Sequence, residues 1–196
     1  MWDRLSLVTG PASPPVTLAE AKAHLIVDHS DDDTLITALV DAAAAMIDGP
    51  AGIGYAMQPQ TWKLTLDGFP SGQAISWPDA VKIPMRPVVS VDEIRYVDAD
   101  GNEQTFDLFD TVISSGGALV VPNYGTAWPS TRNQPGAVEM EFTAGAGVPP
   151  MLRAAVLLIV GHLYKNREAT TDAAQFELPL GVASLLDRYR LAMVAA

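Results

Sequence analysis

The hydrophobic pattern changes period twice along the chain. From Thr17 onward, Leu18, Ala21 and Leu25 recur at helical spacing, the stripe of an amphipathic helix. Thr17 and Glu20 make a T-x-x-E capping box at its start, in which each end of the motif satisfies a backbone N–H of the other. Leu35, Ile36, Leu39, Val40, Ala43, Met46 and Ile47 then follow at i, i+3, i+4 spacing, and Gly49-Pro50 ends this second helix. S-x-x-D from Ser30 to Asp33 predicts its start near Ser30, with Ser30 as the cap and Asp31 to Asp33 in the first turn.

Between residues 58 and 144 the period shortens to two. Trp62, Leu64 and Leu66 alternate with polar residues, as in a half-buried strand. Val89, Val91, Ile94, Tyr96 and Phe106 flank Asp98-Ala99-Asp100-Gly101, a predicted hairpin turn. Val112-Ile113, Ala118 to Val121 and Val138 to Phe142 read as further strands. Short strands with frequent Gly and Pro predict antiparallel pairing. Helical spacing returns after Pro149-Pro150, which suit a first turn. MLRAAVLLIVGHLYKNREA is apolar on most sides, and Gly161 within it predicts a closely packed neighbouring helix. VASLLDRYRLAMVAA predicts a last short amphipathic helix.

These periods predict an α+β protein: a four-helix-type bundle core drawn from both chain ends, with a small antiparallel β module inserted in it. The expected boundaries are an extended N-terminal arm at 1–15, helical core at 16–50, β module at 51–148, and a second helical part with a docking segment at 149–196. Pro11, Pro14 and Pro15 exclude a helix from the arm.

Charge narrows the function classes. The chain has 12 basic and 23 acidic residues among 196, a net charge of -11, and no cysteine. Binders that wrap nucleic acid neutralise phosphates with Lys and Arg, so this balance argues against such a role and suits a surface that DNA passes without sticking. The lack of cysteine removes disulfides, thiolate metal sites and cysteine nucleophiles. The longest apolar run, Ala154 to Val160, is far short of the roughly 20 residues a membrane span needs. The N-terminus lacks the basic-then-apolar order of a signal peptide, so none is expected.

One stretch carries candidate chemistry. HLIVDHSDDDTL holds His24, Asp28, His29, Asp31, Asp32 and Asp33. With Asp28 set at the first position of a calcium loop, Asp33 stands where the sharp turn needs Gly, and Leu39 stands where a bidentate Glu is needed. A capped helix start explains the same aspartates, so no metal ligand is assigned. A metal-dependent hydrolase using Asp28, His29, Asp31 and Asp32 is the rival from a different class. Glu139 and Glu141 alternate with Met140 and Phe142, which puts two carboxylates on one strand face; such a pair serves general acid–base catalysis or is merely solvated. No G-x-S-x-G, Walker loop or G-x-G-x-x-G occurs, and Gly145-Ala-Gly147 reads as a plain turn. No catalytic residue and no cofactor is expected.

The order of segments carries a resemblance. T-L-A-E-A-K-x-H-L near Thr17, T-W-x-L-x-L-D-G-F-P from Thr61 and H-L-Y-x-N-R-E-A from His162 stand in a frame running from Pro15 to Arg190. That frame resembles the head–tail connector (adaptor) family of long-tailed phages, and within it the larger branch with a β insertion found in prophages and gene transfer agents. The resemblance implies a non-enzymatic virion structural protein of the phage-type neck, assembled in the bacterial cytoplasm. It implies a homo-oligomeric ring, typically twelvefold, that binds beneath the portal, carries the stopper and continues the DNA channel without specific binding or membrane contact. It implies a portal-docking C-terminal segment, here Leu185, Leu186, Arg188, Tyr189, Arg190, Leu191 and Met193. A stopper or tail-completion protein is the alternative within the neck.

Overall fold

The computed structural model describes residues 4–70, 80–114, 117–167 and 180–190. The fold is α+β, and the chain divides into two units: Met1–Pro11 with Pro59–Ala146, and Ala12–Gln58 with Gly147–Ala196.

The second unit is helical: α1 (Leu18–Leu25), α2 (Asp33–Ala45), α3 (Pro150–Lys165) and α4 (Leu180–Asp187). α1 opens with the full capping box. The Glu20 N–H donates to Thr17 Oγ1 at 3.2 Å, and the Thr17 N–H donates to Glu20 Oε2 at 2.8 Å. α3 packs on each of the other three helices. Its Leu152, Ala155, Val156, Ile159 and Val160 share one buried cluster with Ala21, Ile36, Val40, Ala43, Val182 and Leu186, at positions that the helical spacing marks out.

Two helix boundaries differ from the sequence expectation. α2 starts at Asp33 rather than Ser30; Asp32 holds the N-cap position and makes no side-chain cap bond. The Ser30 carbonyl instead accepts the Asp33 N–H at 3.2 Å, closing a separate turn. α4 begins at Leu180 and gives way to a turn after Asp187, where the Tyr189 and Arg190 N–H groups both donate to the Leu186 carbonyl. Gly161 meets a closely packed neighbouring helix, as expected: a side chain added there would come 3.3 Å from His24 Nε2 of α1. α1 ends on Ile26, whose φ of 58° is left-handed and whose surface is 92% exposed. Glycine usually takes that position, because a β-branched side chain crowds the following carbonyl there.

The first unit holds β1 (Leu5–Thr9), β2 (Gln60–Leu66), β3 (Val81–Ile83), β4 (Val88–Val97), β5 (Glu103–Thr105), β6 (Phe109–Ser114), β7 (Gly117–Pro122) and β8 (Val138–Ala144). A five-stranded antiparallel sheet runs β1-β2-β8-β4-β5, and a three-stranded one runs β3-β7-β6. Alternation fixes the register: Trp62 pairs with Phe142 and Leu64 with Met140, all four buried, and Ile94 joins Met140 from the other side. The hairpin from β4 to β5 forms at the expected turn. Asp98 Oδ1 accepts the N–H groups of Asp100 at 3.0 Å and Asn102 at 2.9 Å, and Gly101 supplies a φ of 94°. Leu5–Thr9, expected as part of an extended arm, is extended and pairs with β2. Its L-x-L alternation matches Trp62 and Leu64, and that match outweighs the Pro-rich stretch behind it.

Two substitutions test these helix ends in opposite directions. Thr17→Ala loses the cap and is expected to cost about 1 kcal/mol in urea unfolding. Ile26→Gly removes the left-handed strain and is expected to gain about 1 kcal/mol; a loss there would show that the Ile26 side chain stabilises its own subunit.

Candidate functional site

The aspartate-rich turn sits between α1 and α2, and its members go separate ways. Asp28, His29 and Asp31 are exposed, with His29 Nδ1 3.8 Å from Asp31 Oδ2. Asp33 accepts Lys22 Nζ at 2.5 Å, which ties α2 back to α1. Asp32 reaches the far end of α3, where its Oδ2 accepts the Tyr164 hydroxyl at 2.5 Å and Arg167 Nη2 at 2.9 Å. Arg167 also lies over the Tyr164 ring, 4.4 Å from its centroid. The hydrogen bond from Tyr164, then that from Arg167, hold the Asp32 carboxyl below the usual carboxylate range; the same bond raises the Tyr164 phenol.

This arrangement is a charge-satisfied helix junction. Two of the four aspartates are committed to cations and a hydroxyl of the same unit, and an atom that accepts two charge-assisted bonds is a poor metal ligand. Among the described residues, no three His, Asp or Glu side chains converge on a common point. His24 lies against Gly161.

The strand carboxylates occupy a ladder. The register puts Lys63 of β2, Glu141 of β8 and Glu93 of β4 on one rung, and Thr65, Glu139 and Arg95 on the next. Lys63 Nζ bonds Glu139 Oε1 at 3.0 Å, and Arg95 Nη2 bonds Glu93 Oε2 at 2.5 Å. The Arg95 bond holds the Glu93 carboxyl below its usual range, while Glu93, Glu141 and Glu139 together keep Arg95 charged. Glu139 therefore has a fixed cation partner. Beside it, a depression of about 210 Å³ lined by Arg95, Glu103, Gln134 and Glu139 is below the several hundred Å³ of a small-molecule pocket.

The expected docking residues divide by burial. Leu186 is 2% exposed and belongs to the helical core. Leu185 and Tyr189 pack against that core, Tyr189 edge-on to Tyr55 with centroids 5.3 Å apart. Arg188 and Arg190 are exposed, with Arg190 Nε 3.8 Å from Asp187. Leu191 and Met193 lie outside the described residues. Sequence reasoning missed Tyr164 and Arg167 as partners of Asp32. Tyr164 lies in the last turn of α3 and Arg167 just past its C-cap, and nothing local names an acceptor so far away in the chain.

The sign of the Asp32 shift fixes a pH dependence. Its folded pKa is depressed, so its contribution to stability is present above the ordinary carboxylate range and is lost as pH falls through the lowered folded value. Asp32→Asn is expected to lower the thermal midpoint near neutral pH, with the gap to the parent closing in acid. A gap that stays constant across the titration would sink this assignment.

No protein-family model matches the chain, and no curated protein does. Solved structures do. A chain in the neck of an empty GTA particle, computed with C6 symmetry, matches with a TM-score of 0.77 and 27% identity, over 98% of this chain and 97% of that one. A chain in the virion of a native gene transfer agent (GTA) particle matches at 0.75 and 27%, over 98% and 97%. One in the neck of a native GTA particle, computed with C12 symmetry, matches at 0.69 and 26%, over the same shares. Over almost its whole length, the chain has the fold of a protein built into gene transfer agent particles.

Proposed function

We propose that this chain is a neck subunit of a phage-like particle: a non-enzymatic head–tail adaptor that forms a ring under the portal, links it to the tail and continues the DNA channel. One observation carries the reading: 98% of this chain and 97% of a chain in a GTA neck match at a TM-score of 0.77 and 27% identity. Likeness along nearly the whole of both chains supports a shared role more strongly than a shared fragment would.

Three features support the finer reading. Necks computed with C6 and C12 symmetry fit a ring of identical subunits, twelve in the intact particle. A net charge of -11 fits a channel wall that repels the DNA backbone. Asp32 and Asp33 of the aspartate-rich turn are engaged in contacts within their own unit, which suits a structural part. In this reading α1 to α4 form the adaptor's bundle core and the strand-rich unit is the β insertion of the larger branch. The portal is met by the C-terminal segment, through Arg188, Arg190, Leu191 and Met193. Leu185, Leu186 and Tyr189 position that segment by anchoring it to the core.

Negative-stain images of the protein mixed with its portal test the function. A ring stacked coaxially on the portal is expected. A ring that binds only to an adaptor-loaded portal would assign a stopper instead, and monomers without portal association would overturn the neck reading. For the contact itself, Arg188→Glu with a stop after Arg190 leaves Leu186 in place, so folding is retained while portal capture in a pull-down is expected to be lost.

A further inference from the structure

Among the described residues, the two sheets end on four edge strands, and the sequence treats them unequally. β5 is three residues long and carries Glu103; β3 is three residues long, exposes Lys82 and runs into Pro84, which has no N–H to donate. Both are blunted as natural edge strands are. β6 (FDTVIS) is not. It has no Pro and no Lys, and its β-branched run Thr111-Val112-Ile113 favours pairing. Val112 and Ile113 point to opposite faces, yet both are about half exposed, at 54% and 51%. The Asn123 N–H donates to the Leu108 carbonyl, which brings exposed Leu108 and fully exposed Tyr124 to the start of the same strand. β1 (LSLVT) repeats the pattern: Leu7 and Val8, on opposite faces, are 50% and 49% exposed, and no charge occurs from Leu5 to Gly10. Its one blunting device is the bulge between Leu7 and Thr9, which leaves Leu5–Leu7 regular.

An unpaired apolar strand edge in water invites another strand. Who supplies it follows from symmetry and charge. A cyclic ring joins two different surfaces of each subunit, not one surface to itself. Pairing β6 with a second β6 would be self-complementary and would bring two copies of Asp107 and Asp110 together. Pairing β6 with β5 would set Asp110 near Glu103. β1 offers an uncharged edge with apolar side chains on both faces, matching Val112 and Ile113.

We propose that β6 of one subunit pairs with β1 of the next around the ring, joining the five-stranded sheet of one copy to the three-stranded sheet of its neighbour. The inference rests on the ring-forming reading above. It makes the strand-rich unit, and not the helices alone, a source of ring closure.

The chain has no cysteine, so introduced pairs report without background. Ser6→Cys or Val8→Cys is combined in one full-length chain with Asp110→Cys, Val112→Cys or Ser114→Cys. The variants are assembled on the portal, checked as rings in negative stain, oxidised and run on non-reducing gels. Directly opposed residues of paired strands lie within disulfide reach, so at least one combination is expected to give a ladder of linked copies, while each single variant gives none. Rings that form without a ladder from any combination overturn the pairing and leave the adaptor reading intact, as do dimers from Val112→Cys alone or a ladder confined to Lys82→Cys with Val112→Cys. Absence of rings from the parent protein overturns both. As a second measurement, Val112→Lys with Ile113→Lys is expected to abolish rings while leaving the thermal midpoint of the subunit unchanged, because both side chains are exposed within it. Rings that persist in that variant also overturn the pairing.

Discussion

The helical unit depends on one burial: the face of α3 that carries Leu152, Ala155, Val156, Ile159 and Val160. α1, α2 and α4 all pack on it, so the unit cannot close until a helix more than a hundred residues downstream arrives. Closing so long a loop costs only slightly more entropy than closing a short one. The burial is what repays it, at about 2–5 kcal/mol for each large apolar side chain by the measure of truncation to Ala. Two polar links then fix where α3 sits along its partners. Arg153, in its first turn, bonds Glu20 at the start of α1; Tyr164 and Arg167, at its far end, bond Asp32 at the start of α2. These links are partly exposed and contribute little energy. Their geometry matters more, because an apolar stripe alone allows α3 to slide by a turn, and a link at each end does not.

The strand-rich unit meets the same problem with a different device. Alternation in β2, β8 and β4 sets which side chains are buried, and register follows, since a slip by one residue would expose Trp62, Met140 and Phe142 together. The long connection between β7 and β8 meets the sheet at one backbone bridge, Thr131 to Asp98, where the Arg132 N–H donates to the Val97 carbonyl. Trp128, within it, stacks on Phe69 at 4.5 Å between centroids and leans on Phe106 at 5.2 Å, while Tyr96 meets Phe69 at 5.9 Å. Aromatic faces can fasten an irregular segment because they need no backbone pairing.

Periodic and local features were legible in the sequence. The Thr17–Glu20 box, the stripe of α2, the alternation around Trp62 and the Asp98 to Gly101 turn each draw their meaning from residues a few positions apart. The departures arise where distant partners decide. Ser30 has the chemistry of a cap, but the Asp32 carboxylate is held by Tyr164 and Arg167, and α2 begins where that contact sets it. β1 is too short to declare itself and is a strand only because β2 offers it an edge. α4 reads as an amphipathic docking helix, yet its apolar side holds Val182 and Leu186 in its own core. Periodicity shows that a helix has an apolar face and is silent on whose surface covers it.

The places where this chain departs from local optimality share a direction. Enzymes store their departures inward, as perturbed acids and orphaned polar groups in a cleft. Here Asp32 and Asp33 of the acidic turn are paired within their own unit, and Glu139 and Glu93 are paired with Lys63 and Arg95. Among the locally unfavourable features are apolar, outward ones: Ile26 in a left-handed conformation with its side chain in solvent, and the edge strands β1 and β6, which carry neither Lys nor Pro. A subunit that worked alone would gain stability from a glycine at position 26 and solubility from a lysine in β6, at no cost to anything else in its own fold. The apolar residues at all three places are surface that the chain's own fold leaves about half exposed or more.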